Sequence, residues 1–315
     1  MALKLEEREI TTGLRFPEGP IALKDGSVLV VEIWGGTLTR VMPDGTKQVV
    51  GELGGGPNGA AIGPDGKCYV CNNGGFEWTT ATDGFARPIA RAKTYKSGSI
   101  QRVDLNTGAV EVLYTHCNGE TLKGPNDIVF DSKGGFWFTD YGKNYGRVMD
   151  RGALFYARTD GSLIKEAAFP MITPNGVGLS PDEHTLYVAE SDTCRLWSFP
   201  ITGEGELDKS PWPSPFGGTF VYAPADRYKR FDSLALEANG NICVATLVHG
   251  GISVISPKGE LVEFYEAPEG YCTNICFGGE DMRTAFITMS GYGRLVAAKW
   301  PRPGLALNDP LTAKG

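Results

Sequence analysis

Many of the groups on which hydrolytic and nucleic-acid enzymes are commonly built are scarce in this chain. Its three histidines, His116, His184 and His249, lie far apart in 315 residues. No G-x-S-x-G elbow presents a serine, so a Ser-His-Asp triad is disfavoured. Seven cysteines cannot all pair, and a chain of this length buries enough core to stand without disulfides, so they are read as reduced. Cys68 and Cys71 form a CxxC with no second ligand pair, and on a strand they face opposite ways, which argues against zinc there. No apolar run approaches 18 residues, and the opening "MALKLEEREITTG" has no signal-like apolar segment. These absences predict a soluble, cytoplasmic protein. The balance of 30 Lys and Arg against 37 Asp and Glu leaves a net charge of −7, and the basic residues are too scattered to follow a phosphate backbone. Neither nucleic acid nor a membrane is an expected partner; the oligomeric state is not legible.

Glycine is abundant, and it recurs in register. "FPEGPIALKDGSVLVVEIWGG" contains Glu18, and "GPNGAAIGPDGKCYVCNNGG" contains Asn58. Asn126 lies in "GPNDIVFDSKGGFWFTDYG", Asn175 in "TPNGVGLSPDEHTLYVAES", Asp232 in "FDSLALEANGNICVATLVHGG" and Thr273 in "CTNICFGGEDMRTAFITMSGYG". Seven residues after each polar anchor stands a turn-forming residue, at Asp25, Asp65, Lys133, Asp182, Asn239 and Glu280. Fourteen or fifteen residues after each anchor a second strand ends, at Glu32, Asn72, Asp140, Glu190, Thr246 and Thr288. Successive anchors are 40, 68, 49, 57 and 41 residues apart. Strand-rich repeats of roughly this length are the mark of a β-propeller. The expected fold is all-β, a six-bladed propeller of four-stranded blades in a single domain, 1–315.

The last repeat is short, so "LKLEEREITTG" is expected to supply its missing outer strand and close the ring, which removes an exposed sheet edge. "WPRPGLALNDP" reads as a tail. All six anchors should surround one mouth of the central channel. Their side chains bear oxygen and two are carboxylates, a set that suits a hard divalent cation such as Ca²⁺, Mg²⁺ or Mn²⁺. The alternative is a ring of polar strand ends facing water in a non-catalytic binding propeller.

The segments "FPEGP", "KGPNDIVFDSKGGFWFTDYG", "TPNGVGLSPDEHTLYVAES" and "FDSLALEANGNICVAT" resemble the SMP-30/gluconolactonase family of six-bladed, metal-dependent lactonases. The resemblance runs over roughly residues 14 to 290. It implies one divalent cation, Ca²⁺ first with Zn²⁺, Mg²⁺ or Mn²⁺ as alternatives, held by Glu18, Asn175 and Asp232. Asn126 is then near the metal or a substrate oxygen. The implied activity is hydrolysis of a sugar lactone or another small cyclic ester, with Asp232 as the candidate proton acceptor; a phosphotriesterase-type hydrolase on the same scaffold is the alternative. Asn58, Asp140, Tyr141 and His249 are candidate substrate contacts at the rim. His184 is expected at the surface of the opposite face. Residues 76–97, a long aromatic and basic insertion, read as part of a lid. Two departures from the family pattern are Ser233 in place of Gly after Asp232, and Gly124 where animal members carry an Arg.

Overall fold

The computed structural model describes residues 2–211 and 217–312. Six antiparallel sheets are arranged around a central channel, and each begins with an inner strand that carries one anchor. The inner strands are Pro17–Ala22, Pro57–Ile62, Pro125–Phe130, Pro174–Leu179, Arg230–Leu236 and Cys272–Gly278, numbered here as blades 1 to 6. Each inner strand contacts the next, and that of blade 6 returns to that of blade 1.

Apolar residues on both faces of each sheet dictate this arrangement, because a sheet buried on two sides needs a neighbour on each. The core is accordingly divided into six apolar layers, one in each gap between blades. Cys68 packs in the layer between blades 1 and 2 and Cys71 in that between blades 2 and 3, as opposite strand faces require. All seven cysteines are free thiols.

The N-terminal segment closes the ring, and it does so in two pieces. Glu7–Thr11 pairs antiparallel with Arg294–Lys299 as the outer strand of blade 6, while Leu3–Lys4 adds a parallel fifth strand to blade 5 along Leu261–Glu266. Arg294 pins the closure by donating to Glu7 Oε1 at 2.5 Å and Glu9 Oε2 at 2.8 Å.

The segment after Trp300 departs from its reading as a tail. It crosses the base of the channel. Ala238 N–H donates to Pro303 O at 2.9 Å, Asn308 Nδ2 to Phe130 O at 3.3 Å, and Lys24 N–H to Leu311 O at 3.0 Å. Residues Leu305 to Asp309 thereby form the floor of an inner cavity of about 160 Å³. No helix among the described residues is long and apolar enough to cross a membrane.

Candidate active site at the channel mouth

Three local features aim the anchors into the channel. Proline stands immediately before the anchor in blades 1 to 4, at the first strand position, where its missing N–H costs no ladder bond. Every inner strand then carries a register shift beside the anchor, between Glu18 and Ile21 and between Pro57 and Ala60, for example. Such bulges turn a side chain out of the pleat. Glycine follows the anchor where inner strands approach most closely. A Cβ on Gly59 would lie 2.4 Å from Asn126 O, and one on Gly19 would lie 2.8 Å from Asn58 O.

Glu18, Asn58, Asn126, Asp232 and Thr273 line one mouth cavity of about 260 Å³. Asn175 stands behind it and donates from Nδ2 to Asp232 Oδ1 at 2.5 Å and to Ser191 Oγ at 3.0 Å. Glu18 Oε2 accepts from Gly19 N–H and Asn274 Nδ2, both at 2.6 Å. Asp232 Oδ2 accepts no hydrogen bond among the described residues. Burial pushes the Glu18 carboxyl up to about 7, although its hydrogen bonds pull the other way. Burial also pushes Asp232 well above the usual carboxylate range, and the Glu18 charge adds to this while Arg230 opposes it. Asp127, one residue past the Asn126 anchor, sits below the ring and is pushed up to about 8 by burial and then by Glu18.

These three acids share one channel, and Asn126 Oδ1 is buried without a hydrogen-bond partner among the described residues. Among the described residues no three His, Cys, Asp or Glu side chains form a metal cluster. The available set is instead two carboxylates with amide oxygens. Uncompensated acids beside an orphaned oxygen fit a hard divalent cation, which takes mixed carboxylate and carbonyl donors. Asn175 would offer Oδ1 after a half-turn of its amide.

The strand-end residues of blades 1 to 4 face backbone rather than the cavity. Glu32 Oε2 accepts from Arg15 N–H at 2.6 Å, Asn72 Oδ1 from Gly56 N–H at 2.9 Å, and Glu190 Oε1 from Ile172 N–H at 2.7 Å. Asp140 accepts from Lys123 and Gly124 N–H at 2.7 Å each and from Gly142 N–H at 2.9 Å. Each holds the loop that leads into its own blade's anchor. Gly124 is needed for this close approach, since a Cβ there would lie 2.6 Å from Gly142 O.

Tyr141 does line the cavity, and its hydroxyl accepts from Arg230 at 2.5 Å. Arg230 also pairs with Asp192 at 2.9 Å. His249 lies outside the cavity lining and contacts Arg227. His184 is exposed beside Asp182, and His116 is exposed.

Residues 76–97 form the hairpin Phe76–Thr80 and Ala86–Arg91. From blade 2 it reaches across to blade 6. There Phe85 stacks on Tyr271 at 5.1 Å, Tyr292 Oη donates to Asp83 Oδ2 at 2.9 Å, and Ala86 N–H donates to Gly291 O at 2.8 Å. Its Pro88 to Arg91 segment forms one wall of the mouth.

Reading by repeats alone missed Asp127, Lys143, Arg230, Asn73 and Asn274. Asp127 and Asn274 each follow an anchor, in "PND" and "CTN", and that adjacency was the available signal. Lys143 and Asn73 occupy loops of irregular length, which carry none.

Residues 16–291 match the SMP-30/Gluconolactonase/LRE-like region. A lactonase drp35 of Staphylococcus saprophyticus is 30% identical over 77% of this chain and 67% of its own length. A gluconolactonase of Zymomonas mobilis is 26% identical over 89% of this chain and 78% of its own. Among solved structures, a calcium-binding regucalcin of Agrobacterium tumefaciens is similar in fold, with a TM-score of 0.73 at 17% identity, covering 98% of this chain and 99% of that one. With its motifs, its six blades and a match across most of its length, this chain belongs to the SMP-30/gluconolactonase/LRE-like family.

Proposed function

We propose that this protein is a hydrolase that opens a lactone, a sugar lactone or another small cyclic ester, at the anchor-lined mouth. The observation that carries this reading is the pairing of two carboxylates, the buried Glu18 and the half-buried Asp232, with Asn126 Oδ1, which has no hydrogen-bond partner among the described residues, at the wall of one cavity. The names of the relatives, lactonase and gluconolactonase, support it.

Glu18, Asn175 and Asp232, with Asn126 beside them, are the residues that would hold one divalent cation, Ca²⁺ first. Such a cation supplies polarisation of the carbonyl and balances the carboxylate charge. The chain's own part is to position and to move protons. Asp232 Oδ1 is the oxygen on the Asn175 side. Once the Asn175 amide has turned to offer its own oxygen, Asp232 Oδ1 would be the one given to the cation, which leaves Oδ2 to take a proton from the attacking water. The same oxygen returns that proton to the alkoxide as the ring ester bond breaks. A positioned base of this kind contributes typically 10²–10⁴-fold. Glu18, held by Asn274 and Gly19, stays in place as a fixed charge. Asn58 and Tyr141 face the substrate from the cavity wall. The hairpin wall excludes water on the blade 2 side.

The test is a pH-stat screen of lactones and phosphotriesters on cation-stripped protein, before and after single cations are restored. Cation-dependent opening of a lactone supports the reading. Cleavage of phosphotriesters alone would replace it, and inertness toward both classes would leave a binding propeller.

A further inference from the structure

Lys143 is only 4% exposed, and no Asp or Glu among the described residues forms an ion pair with it. Charged lysines are almost never buried without a partner, because desolvating an ammonium is costly. Its Nζ donates to Asn73 Oδ1 at 3.1 Å and Gly75 O at 3.3 Å, both uncharged. The same nitrogen lies 4.0 Å from the Phe76 ring centroid and 5.2 Å from that of Tyr95. Asp140, the nearby acid, has its oxygens committed to three backbone N–H groups. Arg91 approaches from the hairpin, stacked over Tyr95 at 5.1 Å and Tyr145 at 4.6 Å.

A second, separate observation comes from Asn73. Its Nδ2 is buried with no hydrogen-bond partner among the described residues, while its Oδ1 faces Lys143. Asn73, Phe76, Arg91 and Lys143 all line the mouth cavity that holds Glu18 and Asp232. One corner of that cavity thus holds two cations and an unused amide donor with no acid between them.

We propose that this corner is an oxyanion subsite, which binds a carboxylate or phosphate group on the substrate through Lys143 and Asn73 Nδ2, with Arg91 adding charge from the hairpin. Charge-assisted bonds from ammonium and amide to such oxygens are the strong ones. The aromatic rings keep water from the pair. The ligand's role as a substrate rests on the lactonase reading, whereas oxyanion binding does not. Burial holds the Lys143 ammonium down to about 7, with Asp140 opposing and Arg91 reinforcing that fall. At about pH 8 an arriving oxyanion should therefore draw a proton onto this lysine.

The experiment titrates inorganic phosphate and, separately, acetate into the whole protein by calorimetry at about pH 8, in two buffers of different ionisation heat. Saturable binding with proton uptake is expected, and the two titrants distinguish phosphate from carboxylate. Lys143→Met should weaken binding about tenfold or more and abolish the uptake. Arg91→Gln, on the outer hairpin, should weaken it less and serves if Lys143→Met fails to fold. In turnover, the preference for a lactone bearing the bound oxyanion over its uncharged analogue should fall by a similar factor in Lys143→Met. No binding of either titrant by the wild type at about 10 mM, or equal affinity in both variants, overturns the proposal. Oxyanion binding without any lactone opening would uphold the subsite and refute the lactonase reading instead.

Discussion

Asn175 donates an amide N–H to Asp232 Oδ1 at 2.5 Å across the seam between blades 4 and 5. One oxygen of a half-buried carboxylate is thereby held while the other has no partner among the described residues. Ser233 supports the same amide from beneath, with its Oγ donating to Asn175 Oδ1 at 3.5 Å. The serine that departs from the family's usual glycine thus joins the support of the site.

Asp232→Asn keeps an oxygen donor and loses the proton acceptor. Its kcat should fall roughly 10²-fold or more and stay low at saturating cation. Asn175→Ala should weaken cation binding, with most activity restored by excess cation. Plotting kcat against cation concentration for both variants decides the point. Equal rescue of the two would make Asp232 a ligand alone.

The acids of the channel set a pH dependence. Folding raises Glu18 to about 7 and Asp127 to about 8, so the folded state binds more protons than the unfolded chain. That contribution to stability is complete below the ordinary carboxylate values and is lost as pH rises through 7 to 8. Chelated protein should therefore melt at a lower temperature at about pH 8.5 than at about pH 6, with the carboxylate contribution traced by melting across that range. A cation seated among these acids offsets the loss. The gain in Tm on adding Ca²⁺ should exceed about 2 °C at the higher pH and shrink at the lower. A gain independent of pH would place the ion elsewhere.

Phe85→Ala and Asp83→Ala each remove one fastening of the hairpin to blade 6, the stacking on Tyr271 or the bond from Tyr292. The hairpin lies outside the blade ladders, so global stability should drop by no more than about 1–2 kcal/mol. KM should change more than kcat, and limited proteolysis should cut between residues 80 and 86 sooner than in the wild type. Unaltered KM together with unaltered proteolysis would make the hairpin a passive excursion.

Deleting residues 2–11 removes the outer strand of blade 6 and two of the three acids that pair with Arg294, leaving Glu269. Lost ladder bonds of about 1 kcal/mol each would cost roughly 2–6 kcal/mol in all, and Arg294–Lys299 would become an open edge. A lowered Tm with oligomers on gel filtration is the expected result. An unchanged melt would show that closure does not depend on this strand.

The blades and their count were legible because each is a local object. Anchor, turn and strand end fall within about fifteen residues of one another, and that spacing recurs six times. The anchors' placement at one mouth followed from the same spacing, since each inner strand starts at that face. The outer strand taken from the N-terminus was legible as a deficit in the last repeat. Its division between blades 5 and 6 was not.

The amino-acid sequence by itself determined the strands, the ring of six oxygen-bearing anchors and the closure between the chain's ends. Only the tertiary structure decided what each polar residue faces. Asp140 and Asp232 are both aspartates on blade strands near the channel mouth, yet one caps the backbone of Lys123 and Gly124 while the other keeps an oxygen without a partner among the described residues at the cavity. Asn274 holds Glu18 across 256 residues, Tyr292 fastens Asp83 across 209, and the segment after Trp300 folds under the channel rather than trailing from it. Spacing within a repeat specifies the strand and its periodicity, because those depend on near neighbours along the chain. The partner of a loop side chain depends on which distant blade closes beside it, and no local pattern carries that information.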